Sequence, residues 1–421
     1  MKTFDVVIVG AGPAGSAAAI ALACRGYEVA LIDKQNFPRE KLCGDFVNPV
    51  NWPIFRELGV EERILAEPHS CITRFRMTAC SGAFAEAVLQ ASESRSFGLG
   101  LARARLDHVL LQRAQEAGAT IRTGVKLGRI GKTPQSWQLT TSAGESWQAK
   151  FLIGADGRNS WVAQQLGMNG HSTAHSRSVG FQLRLKFSMA AVSSDGSGGV
   201  PWRVSGERGK DSSHPPGTTT QCRTANATRF DSSRIEIHLF PGGYAGLVEV
   251  GDGTVNLGLA IDRAVLPQSG IKEFLLTERL VRNPALKAVL RRCESSAEPR
   301  SAYPVYFPRR RSFCDGALLV GDAARVTEPV TGEGIYFAMR SGLLAAETLD
   351  RALRHGDGSA HALRRYEKSC VRALRPRMRL NALLRFAIYR PALVDPLIQW
   401  SSRHNRALRA LVNAVCVPAT V

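Results

Sequence analysis

Residues 37–49 read FPREKLCGDFVNP. A thiol, Cys43, stands beside Gly44 with Arg39 and Lys41 just upstream, in a stretch too irregular to be a core element. A cysteine among cations is either a thiol tuned for proton transfer or a small apolar side chain packed against a neighbour. Three further segments bear on which. GAGPAG places Gly10, Gly12 and Gly15 where backbone can approach a pyrophosphate, with Asp33 and Lys34 following at the distance expected of a ribose acceptor. FLIGADGRNSWVAQQLG carries Asp156 and Gly157 in a tight turn, and ALLVGDAARVTEPVTGEGIYFAMRSG carries Asp322, Pro329, Gly332, Glu333, Gly334 and Ile335. The first motif implies a dinucleotide but does not choose between NAD and FAD.

The elements that must hold these residues follow from periodicity. Phe4 to Val9 is a continuous apolar run fitting a strand buried on both faces. A helix from Ala14 to Arg25 and a strand from Glu28 to Ile32 complete a βαβ unit around the glycines. In residues 100–120, Leu106, Val109, Leu110 and Ala114 form one apolar helix face; Asp107 suits the first turns, and Arg105 and His108 read as solvated. Alternation then replaces helical spacing: residues 176–188, IEIHLF from Ile235, YAGLVEV from Tyr244 and TVNLGLAI from Thr254 read as strands, joined by residues 72–90. Residues 193–228, rich in Ser, Gly, Thr and Pro, read as a long surface insertion. Beyond Arg351 the chain is helical and basic, with Pro376, Pro391 and Pro396 expected to divide it. Its apolar stripe reads as a packing face, or else as a surface meeting membrane or an acidic carrier.

GxGxxG, GADGRxS and GDAAxxxxPxxGEGI, in that order, resemble the FAD-dependent group that contains the aromatic hydroxylases, the flavin halogenases and the geranylgeranyl reductases. The resemblance spans nearly the whole chain. It implies an α/β fold: a Rossmann-like FAD-binding domain of the glutathione-reductase type from residues 1–70, 98–170 and 300–350, an antiparallel substrate-binding sheet from 71–97 and 171–299, and a helical basic region over 351–421. It also implies that Asp322 bonds the ribityl chain and that Arg103 lies by the pyrophosphate. The helix beginning near Gly332 would point its amides at the flavin pyrimidine end, where the reduced ring is anionic. The form FPREKLCG is similar to the geranylgeranyl reductase branch; the GES and WxWxIP stretches of halogenases are absent, and Trp202 stands alone.

That branch implies hydride transfer from flavin N5 to a carbon-carbon double bond of an apolar or carrier-bound substrate, or its reverse, desaturation. Cys43 would give the proton or guard the ring. One departure matters: reductases of the group carry YxWxFP where this chain has YAGLVEV, so Gly246 replaces the tryptophan of the cavity roof. Hydroxylation of an aromatic or polyketide-like ring by a flavin monooxygenase is the alternative. No second GxGxxG appears, so electrons are expected from transient NAD(P)H or from a separate reductase.

Bulk properties set the context. The 421 residues are 44% hydrophobic and 22% charged, which excludes disorder throughout. Nine cysteines with no CxxC pair indicate free thiols in a reducing, cytoplasmic setting. No apolar run of about 18 residues exists to span a bilayer, and MKTFDVVIVG reads as a strand rather than a signal peptide. The net charge of +19 favours an acidic carrier protein or an anionic membrane surface; no nucleic-acid motif accompanies it. His171 and His175 sit in a loop-like stretch and are not read as metal ligands.

Overall fold

The computed structural model describes residues 2–89, 96–169, 177–187, 230–295, 297–307 and 309–417. In chain order, its main elements begin with strand β1 (Lys2–Val9), helix α1 (Pro13–Ala23) and β2 (Val29–Ile32). There follow β3 (Arg74–Thr78), β4 (Phe84–Val88), α2 (Arg103–Glu116), β5 (Thr120–Arg122), β6 (Ser146–Gly154) and α3 (Trp161–Gln165). The long strands β7 (Ser178–Phe187), β8 (Arg234–Phe240), β9 (Gly243–Glu249) and β10 (Thr254–Asp262) precede β11 (Ala317–Leu319). Four helices close the chain: α4 (Gly334–His355), α5 (Ala360–Ile388), α6 (Pro391–Arg403) and α7 (Asn405–Cys416).

The parallel core of the first sheet runs β11-β6-β1-β2-β5, and Phe313–Cys314, Leu127–Lys132 and Trp137–Thr141 add antiparallel strands to it. Val6, Val7 and Ile8 are fully buried because helices cover one face and a second apolar cluster the other. Seven of the eleven residues of α1 are Ala or Gly, which lets α4 lie against its backbone: a Cβ on Gly342 would meet the Ala14 carbonyl oxygen at 2.2 Å.

The second sheet runs β7-β10-β9-β8-β3-β4. It is antiparallel except between β8 and β3, which run parallel, so the expectation of a purely antiparallel sheet is corrected there. Hairpins reverse direction, whereas β3 and β8 are separated in the chain by β5 and β6 of the first sheet, a crossover that allows parallel pairing. Arg300–Ala302 also pairs with β7, so a sheet boundary at 299 falls slightly early.

Three further expectations change. Pro376 and Pro396 lie inside α5 and α6 without ending them; only Pro391 marks a break, at the first position of α6. Leu374 and Arg377 are buried on either side of Pro376, and that packing carries α5 past the one hydrogen bond a proline removes. Arg105 and His108 are half-buried, and Arg105 donates to the carbonyls of Pro68 and Val250 and pairs with Asp252. The helix expected near Gly332 starts at Gly334, after a 3-10 turn over Pro329–Thr331. His171, His175 and the 193–228 insertion lie outside the described residues.

Candidate active site

The two sheets and the last helices enclose a cavity of about 460 Å3. Its cofactor-side wall begins where β1 ends. Gly10 takes φ +107°, and a Cβ there would overlap the Ala155 carbonyl oxygen at 2.3 Å, while one on Gly15 would overlap the Gly10 carbonyl oxygen at 1.9 Å. Only glycine fits, and the turn delivers Gly12, Pro13 and Ala14 to the cavity. No side chain caps α1, which leaves its first-turn amides for an anionic acceptor.

Asp33 braces this turn. Its carboxylate accepts from the amides of Ala11 and Gln35, both at 2.9 Å, and lies 3.8 Å from Arg39. Lys34 is exposed and is not among the residues lining the cavity. Beneath the turn, Arg39 and Arg103 share the buried Asp107: Arg103 holds it through both oxygens at 2.9–3.1 Å, and Arg39 stands at 3.4 Å. Burial opposes the Arg103 charge, but Asp107 and the Cys43 sulfur keep its pKa raised. Lys41 lines the same wall with no carboxylate ion-paired to it among the described residues; burial, then Arg103, pushes its pKa down. Arg39 Nε is buried without a partner. Arg39, Lys41 and Arg103 outnumber the two carboxylates ion-paired with them, Asp33 and Asp107, and the remaining positive charge suits an anion such as a pyrophosphate.

The remaining motif residues divide. Gly157, Asp322, Pro329, Gly332, Gly334 and Ile335 line the cavity. Asp322 lies 3.6 Å from Arg158. A Cβ at Gly44 or Gly334 would touch nothing within 4 Å, so both glycines face room for a ring. Two others turn away. Asp156 accepts from Ser160 Oγ at 2.5 Å and from the Val162 amide at 3.0 Å, and so ties down the start of α3. Glu333 is buried against Arg377 of α5 at 2.5 Å, an ion pair behind the cavity wall.

Cys43 lines the cavity. Its charged neighbours are Arg103 and Asp45, not the Arg39 and Lys41 that adjacency in sequence suggested; burial is the dominant influence and pushes its thiol pKa up. The loop is held from the second sheet, in a way the sequence did not reveal. Gln182 of β7 and Asn256 of β10 both donate to the Cys43 carbonyl at 3.0 Å, from diagonal positions on one sheet face. Asp45, fully buried with φ +53°, pairs with Arg184 at 2.7 Å and accepts from the Arg103 amide. Burial raises the Asp45 pKa to about 6, with Arg184 opposing the rise. Inward polar residues in otherwise aliphatic strands were the available signal.

The opposite wall is aliphatic: Phe75 and Met77 of β3, Ile235 and Ile237 of β8, and Gly246 of β9. Gly246 leaves Ile237 Cδ1 3.3 Å from where a side chain would begin. Tyr244 lines it too, its hydroxyl donating to the buried Glu328 at 2.8 Å, and Tyr389 donates to the same carboxylate at 3.2 Å. Helices α5, α6 and α7 supply a third wall, including Leu384, Ile388, Val394 and Val412.

Residues 3–226 match the FAD binding domain family. The chain is 29% identical over 360 residues to the menaquinone reductase of Mycobacterium tuberculosis, covering 82% of this chain and 76% of that one. It is 27% identical over 379 residues to the digeranylgeranylglycerophospholipid reductase of Methanocaldococcus jannaschii, covering 87% and 81%. Among solved structures, the fold is similar to that of the flavin-dependent brominase Bmp2, with a TM-score of 0.73, 19% identity, and 99% and 94% of the two chains covered. A glycine turn that only bare backbone can make, set beside a surplus of cations, suits a dinucleotide, and this chain belongs to the FAD binding domain family as an FAD-dependent oxidoreductase.

Proposed function

We propose that this oxidoreductase reduces a carbon-carbon double bond of an apolar substrate, free or carrier-bound, with desaturation as the same chemistry in reverse. The supporting observation is one continuous cavity that passes from Cys43, Gly44 and Gly334 to a wall of Phe75, Met77, Ile235 and Ile237. The names of two relatives, a menaquinone reductase and a digeranylgeranylglycerophospholipid reductase, point to isoprenoid chains as the substrate class.

FAD, once bound and reduced by NAD(P)H or a separate reductase, would supply the hydride from N5. Arg39, Lys41 and Arg103 would hold the pyrophosphate, the α1 amides would share that charge, and Asp322 would hold the ribityl chain. Cys43 donates the proton. A thiol whose pKa burial has raised keeps its hydrogen at neutral pH, so it can deliver that hydrogen to the second alkene carbon as the first takes the hydride. Gln182 and Asn256 position its backbone, and the aliphatic walls exclude water.

The test is anaerobic single turnover of photoreduced, FAD-loaded protein with a polyprenyl lipid, followed by mass spectrometry. A product heavier by two hydrogens supports reduction; a product that gains one oxygen only when air is admitted overturns it in favour of a monooxygenase. Cys43→Ser should slow flavin reoxidation by the alkene at least roughly 100-fold while FAD stays bound. An unchanged single-turnover rate would reduce Cys43 to a packing residue.

A further inference from the structure

The outer face of the C-terminal helices carries an apolar surface most of which lies outside the cavity lining. Leu383, Phe386, Leu393, Leu397 and Trp400 are 49% to 64% exposed. Contacts of α6 with α5, of α6 with α7, and of both α6 and α7 with β4 join them to Phe84 and Val88, which β4 also leaves exposed. A contiguous apolar face of this kind is a contact surface.

Its charge says what it contacts. Along α5, positions 372, 375, 379, 383 and 386 are spaced by three or four residues and form one stripe. The stripe reads Arg, Arg, Arg, Leu, Phe; Arg390 follows just past the helix end, and all six are exposed. Arg390 stacks on Phe386 at 3.7 Å, so its guanidinium lies at the edge of the apolar patch. From residue 360 onward the sequence holds twelve Lys and Arg against two acids, more than half of the chain's +19. Both acids are engaged inward: Glu367 pairs with Arg309, and Asp395 accepts from the Cys80 amide.

The cavity adds a third observation. Leu397, Trp400 and Leu411 are exposed and also line the cavity, so its mouth opens within this same face. No helix among the described residues is long and apolar enough to cross a membrane.

We infer that this face docks on an anionic lipid bilayer, with Leu383, Phe386, Leu393 and Trp400 entering the interfacial layer and Arg372, Arg375, Arg379 and Arg390 meeting lipid phosphates. Arginine beside aromatic and aliphatic side chains, with no free carboxylate between them, matches a negatively charged apolar surface better than an acidic protein, which offers charge without hydrocarbon. A lipid chain would then pass from the bilayer to the cavity between Leu397, Trp400 and Leu411 without crossing water.

The test is flotation of the FAD-loaded chain with vesicles of phosphatidylcholine alone or containing 30% phosphatidylglycerol (a composition of about one anionic lipid in three). The chain should float with the anionic vesicles and stay largely behind with the neutral ones. Leu383→Ser/Phe386→Ser/Leu393→Ser lies outside the cavity lining and should lower vesicle affinity at least roughly tenfold while FAD absorbance and thermal midpoint stay unchanged. Each of Arg379→Gln and Arg390→Gln should lower it roughly fivefold, with the loss shrinking in high salt. Equal flotation of the triple variant overturns the proposal. So does a chain that ignores vesicles but binds an acidic carrier protein, or one that buries the face in a dimer stable in the presence of vesicles. Flotation requires no turnover, so its failure leaves the reductive reading intact, and failure of that reading leaves docking intact.

Discussion

Around Gly10 and Arg103 the cavity wall is backbone in contact with backbone and charge buried against charge, whereas around Ile237 and Met77 it is aliphatic side chain on a sheet. In the first region a methyl group at Gly10 already overlaps Ala155, and Arg39 and Arg103 both pair with Asp107. In the second, a lost methylene changes only the shape of an oily space. One wall fixes a single ligand through directional contacts. The other accepts a class of ligands through volume, and it can drift in sequence while the first cannot.

The sharpest way to break that contrast is Arg103→Met. It leaves Asp107 fully buried with only Arg39 facing it, and loss of one partner from a buried pair costs about 3–5 kcal/mol. The lower end is expected because Arg39 stays at 3.4 Å. Urea denaturation should show the loss, and the purified variant should retain much less FAD; a variant as stable and as yellow as the parent would place Arg103 on the tolerant side.

Asp45 probes the seam between the walls. Its pKa in the fold is about 6 against an ordinary 3.8, so the folded chain holds this proton more tightly than the unfolded chain does. Stability relative to Asp45→Asn should therefore be highest below about pH 4, fall as pH rises through the window to about 6, and stay level above it. Denaturation midpoints of both proteins across pH 4 to 7.5 read the sign directly, whatever constant offset the lost Arg184 pairing adds. A difference that rises with pH in that window would show that Arg184 governs Asp45 more than burial does.

Ile237→Val should have the smallest effect. Removing one methylene from a residue only 6% exposed costs about 1 kcal/mol. FAD content should not change, while KM should shift between linear and branched lipid chains. Loss of flavin from this variant would mean that the aliphatic wall also supports the cofactor.

What the sequence made legible follows the same division. Gly10, Gly15 and the strand before them could be read because a turn in contact with its neighbours admits one residue type and fixes its spacing. Asp156 and Glu333 were legible as motif members but not in their roles: the side chains that turn them from the cavity, Ser160 and Arg377, act through local capping in one case and through a partner 44 residues away in the other. Gln182, Asn256 and Arg184 lie more than 130 residues from the loop they hold, and a single polar residue in an aliphatic strand does not name its partner. The continuity of α5 past Pro376 was hidden for a related reason, because the breaking tendency is local and the packing that overrides it is not.

Arg377 shows one more property of this architecture. It donates to Glu333 at the head of α4 and to the carbonyls of Val415 in the last turn of α7 and Val417 just beyond it, so the helix whose head lines the cavity is laced to residues translated long after it. The glycine turn is made among the first fifteen residues and the helices of the third wall only from residue 360 onward. A chain still emerging from the ribosome can display its nucleotide turn, but it has no enclosed chamber until synthesis has passed α7.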